Sequence, residues 1–174
     1  ATVAGLATKF GSGAMTNAVE GISRNEAMLV IGSNTTENHP IIGLRMKEAV
    51  ARGAQLIVAD PRKIPLVKFA TLWLRHRPGT DSVLLNAMMQ VILAEGLEDK
   101  TFISERTEGF AEFAASLAKF TPEFGEDATG VPAEDIRRAA RIFAGAGNAG
   151  IYYAMGITQH TMGTYNVMAV GNLA

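Results

Sequence analysis

Residues 28–40 read MLVIGSNTTENHP, and the fold turns on how that stretch divides. Met28-Leu29-Val30-Ile31 is too short for an ordinary helix and rich in branched residues, so it reads as a buried strand. Gly32 ends the run, Ser33, Asn34, Thr35, Thr36, Glu37 and Asn38 form a small polar loop, and Pro40 opens an amphipathic stretch that closes near Gly53. Strand, Gly-led loop and helix start together make the place where an open α/β sheet presents a ligand site, because the first N–H groups of the helix have no intrahelical partner. One helix further on, Leu56-Ile57-Val58-Ala59-Asp60 repeats the strand and ends on an acid. That pair has the layout of a nucleotide-binding half-fold.

Outward from this unit the pattern continues. The helix between the two strands runs from about Pro40 to Arg52, with Asn38 expected as N-cap and Ile42, Met46, Ala49 and Val50 facing inward. The second strand stops at Asp60-Pro61-Arg62-Lys63. An acid at this point accepts hydrogen bonds from ribose hydroxyls in dinucleotide folds, and Arg62 and Lys63 could take phosphate oxygens or a guanine edge. The alternative is a solvated turn stopped by Pro61. A third strand, Ala70–Leu74, leads into Arg75-His76-Arg77-Pro78-Gly79-Thr80-Asp81, where Pro78-Gly79 signals a turn, Thr80 an N-cap and Asp81 a favourable charge at the positive end of the next helix. That helix, Ser82 to Glu95, is strongly apolar, with Met88 and Met89 as core filler.

Residues 97–129 read as short helical pieces in which Phe102, Phe110, Phe113, Leu117 and Phe120 are structural. A clean helix starts at Pro132, turns Ile136, Ala139, Ala140 and Phe143 inward and leaves Arg137, Arg138 and Arg141 as a solvated face. A fourth strand, Ala149–Ala154, runs into MGITQHTMGT and a last helix from Tyr165. Three strands thus end in Gly-bearing polar loops, and one ends in Asp-Pro-Arg. The expected fold is α/β, a three-layer αβα arrangement with a Rossmann-like, mostly parallel sheet and helices on both faces, forming a single domain over residues 1–174.

The totals narrow the function. A chain of 174 residues with 48 % hydrophobic and 19 % charged residues can bury a core without staples. A net charge of −1 without a polybasic run points away from nucleic acid, and no apolar run reaches the roughly 18–20 residues of a membrane span. There is no cysteine, hence no disulfide, thiolate metal site, iron–sulfur cluster or cysteine nucleophile within the chain. Gly11-Ser12-Gly13 lacks a preceding strand and a third glycine, so it reads as a turn between two short helices. Walker, HExxH, G-x-S-x-G and complete G-x-G-x-x-G patterns are missing, and His39, His76 and His160 have no ligand spacing, although His39 and His160 sit on strand-end loops. No catalytic or metal-ligating residue is assigned. The residues alone describe a nucleotide-type binding module without a reactive group of its own.

The wording of VIGSNTTENHPIIGLRMKEAVARGAQLIVADPRK, PGTDSVLLNAMMQVI, LEDKTFISERTEGFAEF, TGVPAEDIRRAARIFA and YAMGITQHTMGT resembles the molybdopterin oxidoreductases, in particular the alpha subunits of formate dehydrogenases. The likeness is collinear and covers essentially the whole chain. It implies an internal domain holding one arm of a bis-(molybdopterin guanine dinucleotide) cofactor with molybdenum or tungsten. By that resemblance Gly32, Ser33, Asn34, Glu37 and Asn38 line the first loop, and Asp60, Pro61 and Arg62 meet the guanosine end. Gly79, Thr80 and Asp81 close over the nucleotide, while Met155, Gly156, Thr158 and Gln159 face the pterin. The family's metal-ligating cysteine or selenocysteine would fall before Ala1, and its iron–sulfur domain lies elsewhere in the parent.

A chain that starts at Ala1 and closes inside a helical pattern is therefore expected to be a piece of a longer subunit, inactive alone. Its partners would be the remaining domains, formate as the parent's substrate and electron-transfer subunits; the expected compartment is the cytoplasm, with a periplasmic parent left open. Other readings are the equivalent domain of another molybdopterin oxidoreductase or of the NADH dehydrogenase large subunit, and a nucleotide-binding module with no redox role.

Overall fold

A computed structural model describes residues 1–174. In chain order the elements are α1 (Thr2–Phe10), β1 (Ala27–Ile31), α2 (Thr35–Asn38), α3 (Pro40–Ala51), β2 (Gln55–Ala59), β3 (Leu72–Leu74), α4 (Asp81–Ala94), α5 (Lys100–Arg106), α6 (Phe110–Leu117), α7 (Pro122–Thr129), α8 (Ala133–Ala144), β4 (Ala149–Tyr153), α9 (Met155–Thr158) and α10 (Gly163–Leu173). Short 3₁₀ turns occupy Val19–Arg24 and Pro65–Phe69.

The four strands form one sheet in the order β3-β2-β1-β4, every pair parallel. All five residues of β1 are buried, as expected for a central parallel strand covered on both faces. Period-two alternation then divides the core. Leu29 and Ile31 join Ile57, Ala59, Leu72 and Leu74 against α4, α8 and α10, whereas Met28 and Val30 join Leu56 and Val58 against Met46 and Ala49 of α3, the 3₁₀ residues Ile22 and Leu66, and Ile64. These are the three layers. The chain runs β1 to β2 to β3 in one direction and then crosses to put β4 on the far side of β1, so the switch point lies between β1 and β4. No helix is long and apolar enough to cross a membrane.

Several local expectations need correction. Asn38 does not cap α3: it ends the one-turn α2, and His39 stands at the N-cap of α3 without a side-chain bond. Pro132 is the N-cap residue of α8, not its first turn. β3 is shorter than Ala70–Leu74 because the 3₁₀ turn holds the chain up to Phe69. Phe102 is not core; it is 52 % exposed on α5, a helix that buries nothing. The element after Gly11-Ser12-Gly13 is a 3₁₀ turn, and α10 begins at Gly163.

Candidate functional site

Because all four strands are parallel, their carboxyl ends share one rim. A cleft of about 210 Å³ opens there, lined by Gly32 after β1, Asp60, Pro61 and Arg62 after β2, His76, Pro78, Gly79 and Asp81 after β3, and Gly156 and His160 after β4. Every strand contributes. A hollow of about 270 Å³ lies at the opposite rim among Ser23, Arg24, Asn25, Glu26 and Arg52, where the Arg52, Glu26 and Asn25 side chains are bonded within the protein. Arg52 donates to Ser23 O at 2.8 Å and Glu26 accepts from Gly147 N at 2.8 Å. The carboxyl-end cleft is the site, since ligands of open α/β sheets bind outside the carboxyl ends of the strands.

Glycine is required on both sides of the switch point. Gly32 has φ +58°, and a Cβ there would lie 2.8 Å from Ile157 N. Gly156 donates its N–H to Gly32 O at 3.0 Å, and a Cβ on it would fall 2.7 Å from Gly32 Cα. The two loops therefore meet backbone to backbone, with Ile157 fully buried beneath them. They close the bottom of the crevice, and the open part of the cleft extends toward β2 and β3.

Two carboxylates dominate that open part. Asp60 is 3 % exposed; its Oδ1 accepts from Arg62 N at 2.8 Å and faces Arg62 Nε at 3.5 Å, and its carbonyl accepts from Trp73 Nε1 at 2.9 Å. Asp81, also 3 % exposed, receives His76 Nε2 on Oδ1 at 3.0 Å. Each carboxylate thus has one oxygen engaged by the protein, and its second oxygen has no protein donor. The β3 loop that carries Asp81 is braced from behind: Arg77 donates through Nη1 to Asp127 O at 2.6 Å and Ala128 O at 3.1 Å, at the negative end of α7.

Of the residues expected from sequence, the cleft brings together Gly32, Asp60, Pro61, Arg62, Gly79, Asp81 and Gly156. Ser33 is buried behind the rim, Asn34 and Thr36 each hold a buried oxygen without a partner, and Glu37 and Asn38 are exposed on α2. Thr80 turns its hydroxyl to Arg77 O at 2.7 Å and does not line the cleft. Met155 and Gln159, at the two ends of α9, are exposed and joined to each other at 3.4 Å, Thr158 is half-buried beside them, and none of the three lines the cleft. His76, Pro78 and His160 line the cleft; of these only His160 was weighed as a ligand contact, from its place on a strand-end loop. No local pattern marks His76, because the chain turns directly after β3, with His76 N donating to Leu74 O at 3.1 Å.

Residues 4–174 match the model of the molybdopterin oxidoreductase family. The chain belongs to that family. Among similar molybdopterin oxidoreductases and related proteins, the F420-dependent formate dehydrogenase subunit alpha of Methanocaldococcus jannaschii is 46 % identical over 174 residues, which is all of this chain and 26 % of that protein. Formate dehydrogenase H of Escherichia coli is 42 % identical over 173 residues, 99 % of this chain and 24 % of that protein. Acetylene hydratase from Pelobacter acetylenicus superposes with a TM-score of 0.82 at 30 % identity, over 89 % of this chain and 23 % of that one. The chain spans about a quarter of the length of these relatives, and so corresponds to one segment of a large subunit.

Family membership implies a molybdopterin cofactor, and the residues present fit such a group. Asn34 Oδ1 in the β1 loop is buried without a partner, a cost that a ligand's donor would relieve, and Asp60 Oδ2 and Asp81 Oδ2 on the cleft have no protein donor and can accept from one. At about 210 Å³ the cleft is smaller than the roughly 300–1,000 Å³ that encloses a whole small ligand. It can grip one end of a long cofactor.

Proposed function

We propose that this chain is the cofactor-binding segment of a formate dehydrogenase-type alpha subunit, and that its carboxyl-end cleft holds the guanosine end of a molybdopterin guanine dinucleotide. The single observation that carries this is the convergence of four strand ends on one cleft that contains two half-free buried carboxylates. Asp60 accepts from the ribose hydroxyls, and its bond from Arg62 N keeps the carboxylate turned inward. Arg62, largely exposed on the rim, offers a guanidinium to phosphate oxygen. Asp81, Pro78 and Gly79 close over the base, with Gly32, Ser33, Asn34, Glu37 and Asn38 along the β1 side and Met155, Gly156, Thr158 and Gln159 along the pterin side. The cofactor carries molybdenum or tungsten, with an iron–sulfur cluster elsewhere in the parent.

When bound, the cofactor supplies the metal centre for two-electron oxidation of formate to carbon dioxide, with release of one proton. This chain's part is to hold, orient and shield the nucleotide end; none of its side chains is assigned to bond breaking. The other domains of the subunit complete the site, and electron-transfer subunits take the electrons. Identities of 42–46 % to formate dehydrogenases favour this over the other family members.

The test is Asp60→Ala in the full-length enzyme, with bound cofactor measured as guanine nucleotide released on denaturation. Losing a carboxylate that accepts ribose hydroxyls removes hydrogen bonds to a charged group, about 1.5–3 kcal/mol, so loading at limiting cofactor should fall about 10- to 100-fold. Loading equal to wild type would show that the ribose is held elsewhere.

A further inference from the structure

The nucleotide reading leaves the two histidines of the cleft without a task; His160 is exposed on the rim, and His76 is the buried one. His76 is 3 % exposed and lines the cleft. Its Nδ1 stands 3.5 Å from Leu74 O, too long for a firm bond, whereas Nε2 lies 3.0 Å from Asp81 Oδ1. The carboxylate can only accept, so Nε2 carries the proton. Asp81 is the first residue of α4, and the N–H groups of that first turn are near competitors for its carboxylate. Thr80 does not restrain it, since its hydroxyl is spent on Arg77 O. His76 is the group that holds Asp81 away from its own helix and toward the cleft.

We propose that His76 is a positioning residue for purine selection, fixing the Asp81 carboxylate so that it accepts from a guanine base and rejects adenine. The inference rests on the reading of this cleft as a nucleotide site. Guanine presents two donors side by side, N1–H and the N2 amino group, and a fixed carboxylate accepts both. Adenine presents an acceptor at N1, which faces the same carboxylate as a repulsion. The Oδ1 atom that takes the His76 proton keeps a second lone pair, so the bond that orients Asp81 does not use up its capacity. A carboxylate released from His76 turns to the α4 N–H groups and loses the distinction.

The experiment is calorimetric titration of the chain with guanosine diphosphate and adenosine diphosphate, in wild type, His76→Leu and His76→Gln, with melting curves confirming the fold. Wild type should prefer the guanine nucleotide about tenfold, the scale of one good two-donor contact. His76→Leu should bring the two affinities to near parity. His76→Gln, whose amide N–H reaches about as far as Nε2, should restore most of the preference. A wild-type chain that binds neither nucleotide would remove the nucleotide reading itself, and this inference with it. A folded His76→Leu chain that keeps the preference would overturn the positioning role alone. Should loss of its partner leave Asp81 buried and the leucine variant unfolded, nitrogen spectra of the wild-type ring decide the matter. His76 Nε2 must then shift on saturation with guanosine diphosphate and stay put with adenosine diphosphate; a resonance unmoved by the guanine nucleotide refutes the proposal.

Discussion

At the scale of single residues, the contact between Gly32 and Gly156 defines what the rim tolerates. A methyl group on Gly156 would meet the Gly32 carbonyl oxygen first and its Cα and carbonyl carbon at 2.7–2.8 Å, and a backbone cannot swing aside as a side-chain tip can. Gly156→Ala is therefore overpacking against a rigid neighbour, expected to cost about 1–3 kcal/mol. For a chain of this size that lowers the melting temperature by about 2–12 °C. Gly21→Ala is the control, because a Cβ there meets nothing within 4 Å. Thermal melts of the two variants check the claim, and equal melting temperatures would mean the loops can part freely. The sequence showed that a strand breaks at Gly32, but not why. The reason is a neighbour more than a hundred positions away, which no local pattern contains. Asp60 and Asp81 were legible because strand ends and helix starts mark their positions. His76 was not, because the chain turns directly after the three-residue strand β3.

At the scale of elements, the strands and the long helices were readable from apolar runs and spacing, whereas α2 and α9 were not. Each of these has four residues, too few to show a helical period. The arginines of α8 were read as solvated, but two of them reach carboxylates far away in sequence, besides Glu134 on their own helix. Arg141 grips Glu95 at the end of α4 through Nε at 2.9 Å and Nη2 at 2.8 Å, and Arg137 pairs with Glu123 of α7. The hydrogen bond from Arg141 holds the Glu95 carboxyl below its ordinary value of 4.5, helped by the charges of Arg141 and Arg137 and opposed by partial desolvation. A carboxyl lowered in the folded state stabilises fully above its unfolded value and loses that contribution as pH falls through the folded value. The melting difference between wild type and Glu95→Gln should thus be present near neutrality and shrink as pH drops below 4.5. The effect will be small, because exposed pairs are screened by water and salt. A difference that is independent of pH would mean the pair contributes only through packing.

At the scale of the whole molecule, the fold places the Asp60 and Asp81 carboxylates together on one rim and its apolar mass in two layers behind them. This arrangement makes the cleft a thermodynamic lever on the entire chain. A ligand that binds only the folded form stabilises it by RT ln(1 + [L]/Kd), about 2.7 kcal/mol at a hundredfold excess over Kd. For a domain of this length each kcal/mol moves the melting temperature by about 2–4 °C, so saturating guanosine diphosphate should raise it by roughly 5–10 °C. On the proposed reading the cleft holds only one end of the cofactor, so a Kd in the high micromolar range or weaker is expected. Weak affinity alters the concentration needed, not the size of the shift at a fixed multiple of Kd. Inorganic pyrophosphate serves as the contrast. If the carboxylates recognise ribose and base, pyrophosphate alone should stabilise little, because it brings acceptors to a site already rich in them. Equal stabilisation by pyrophosphate and by the nucleotide would locate the binding energy in the phosphates and Arg62, and would leave Asp60 and Asp81 without a ligand to explain why they are buried.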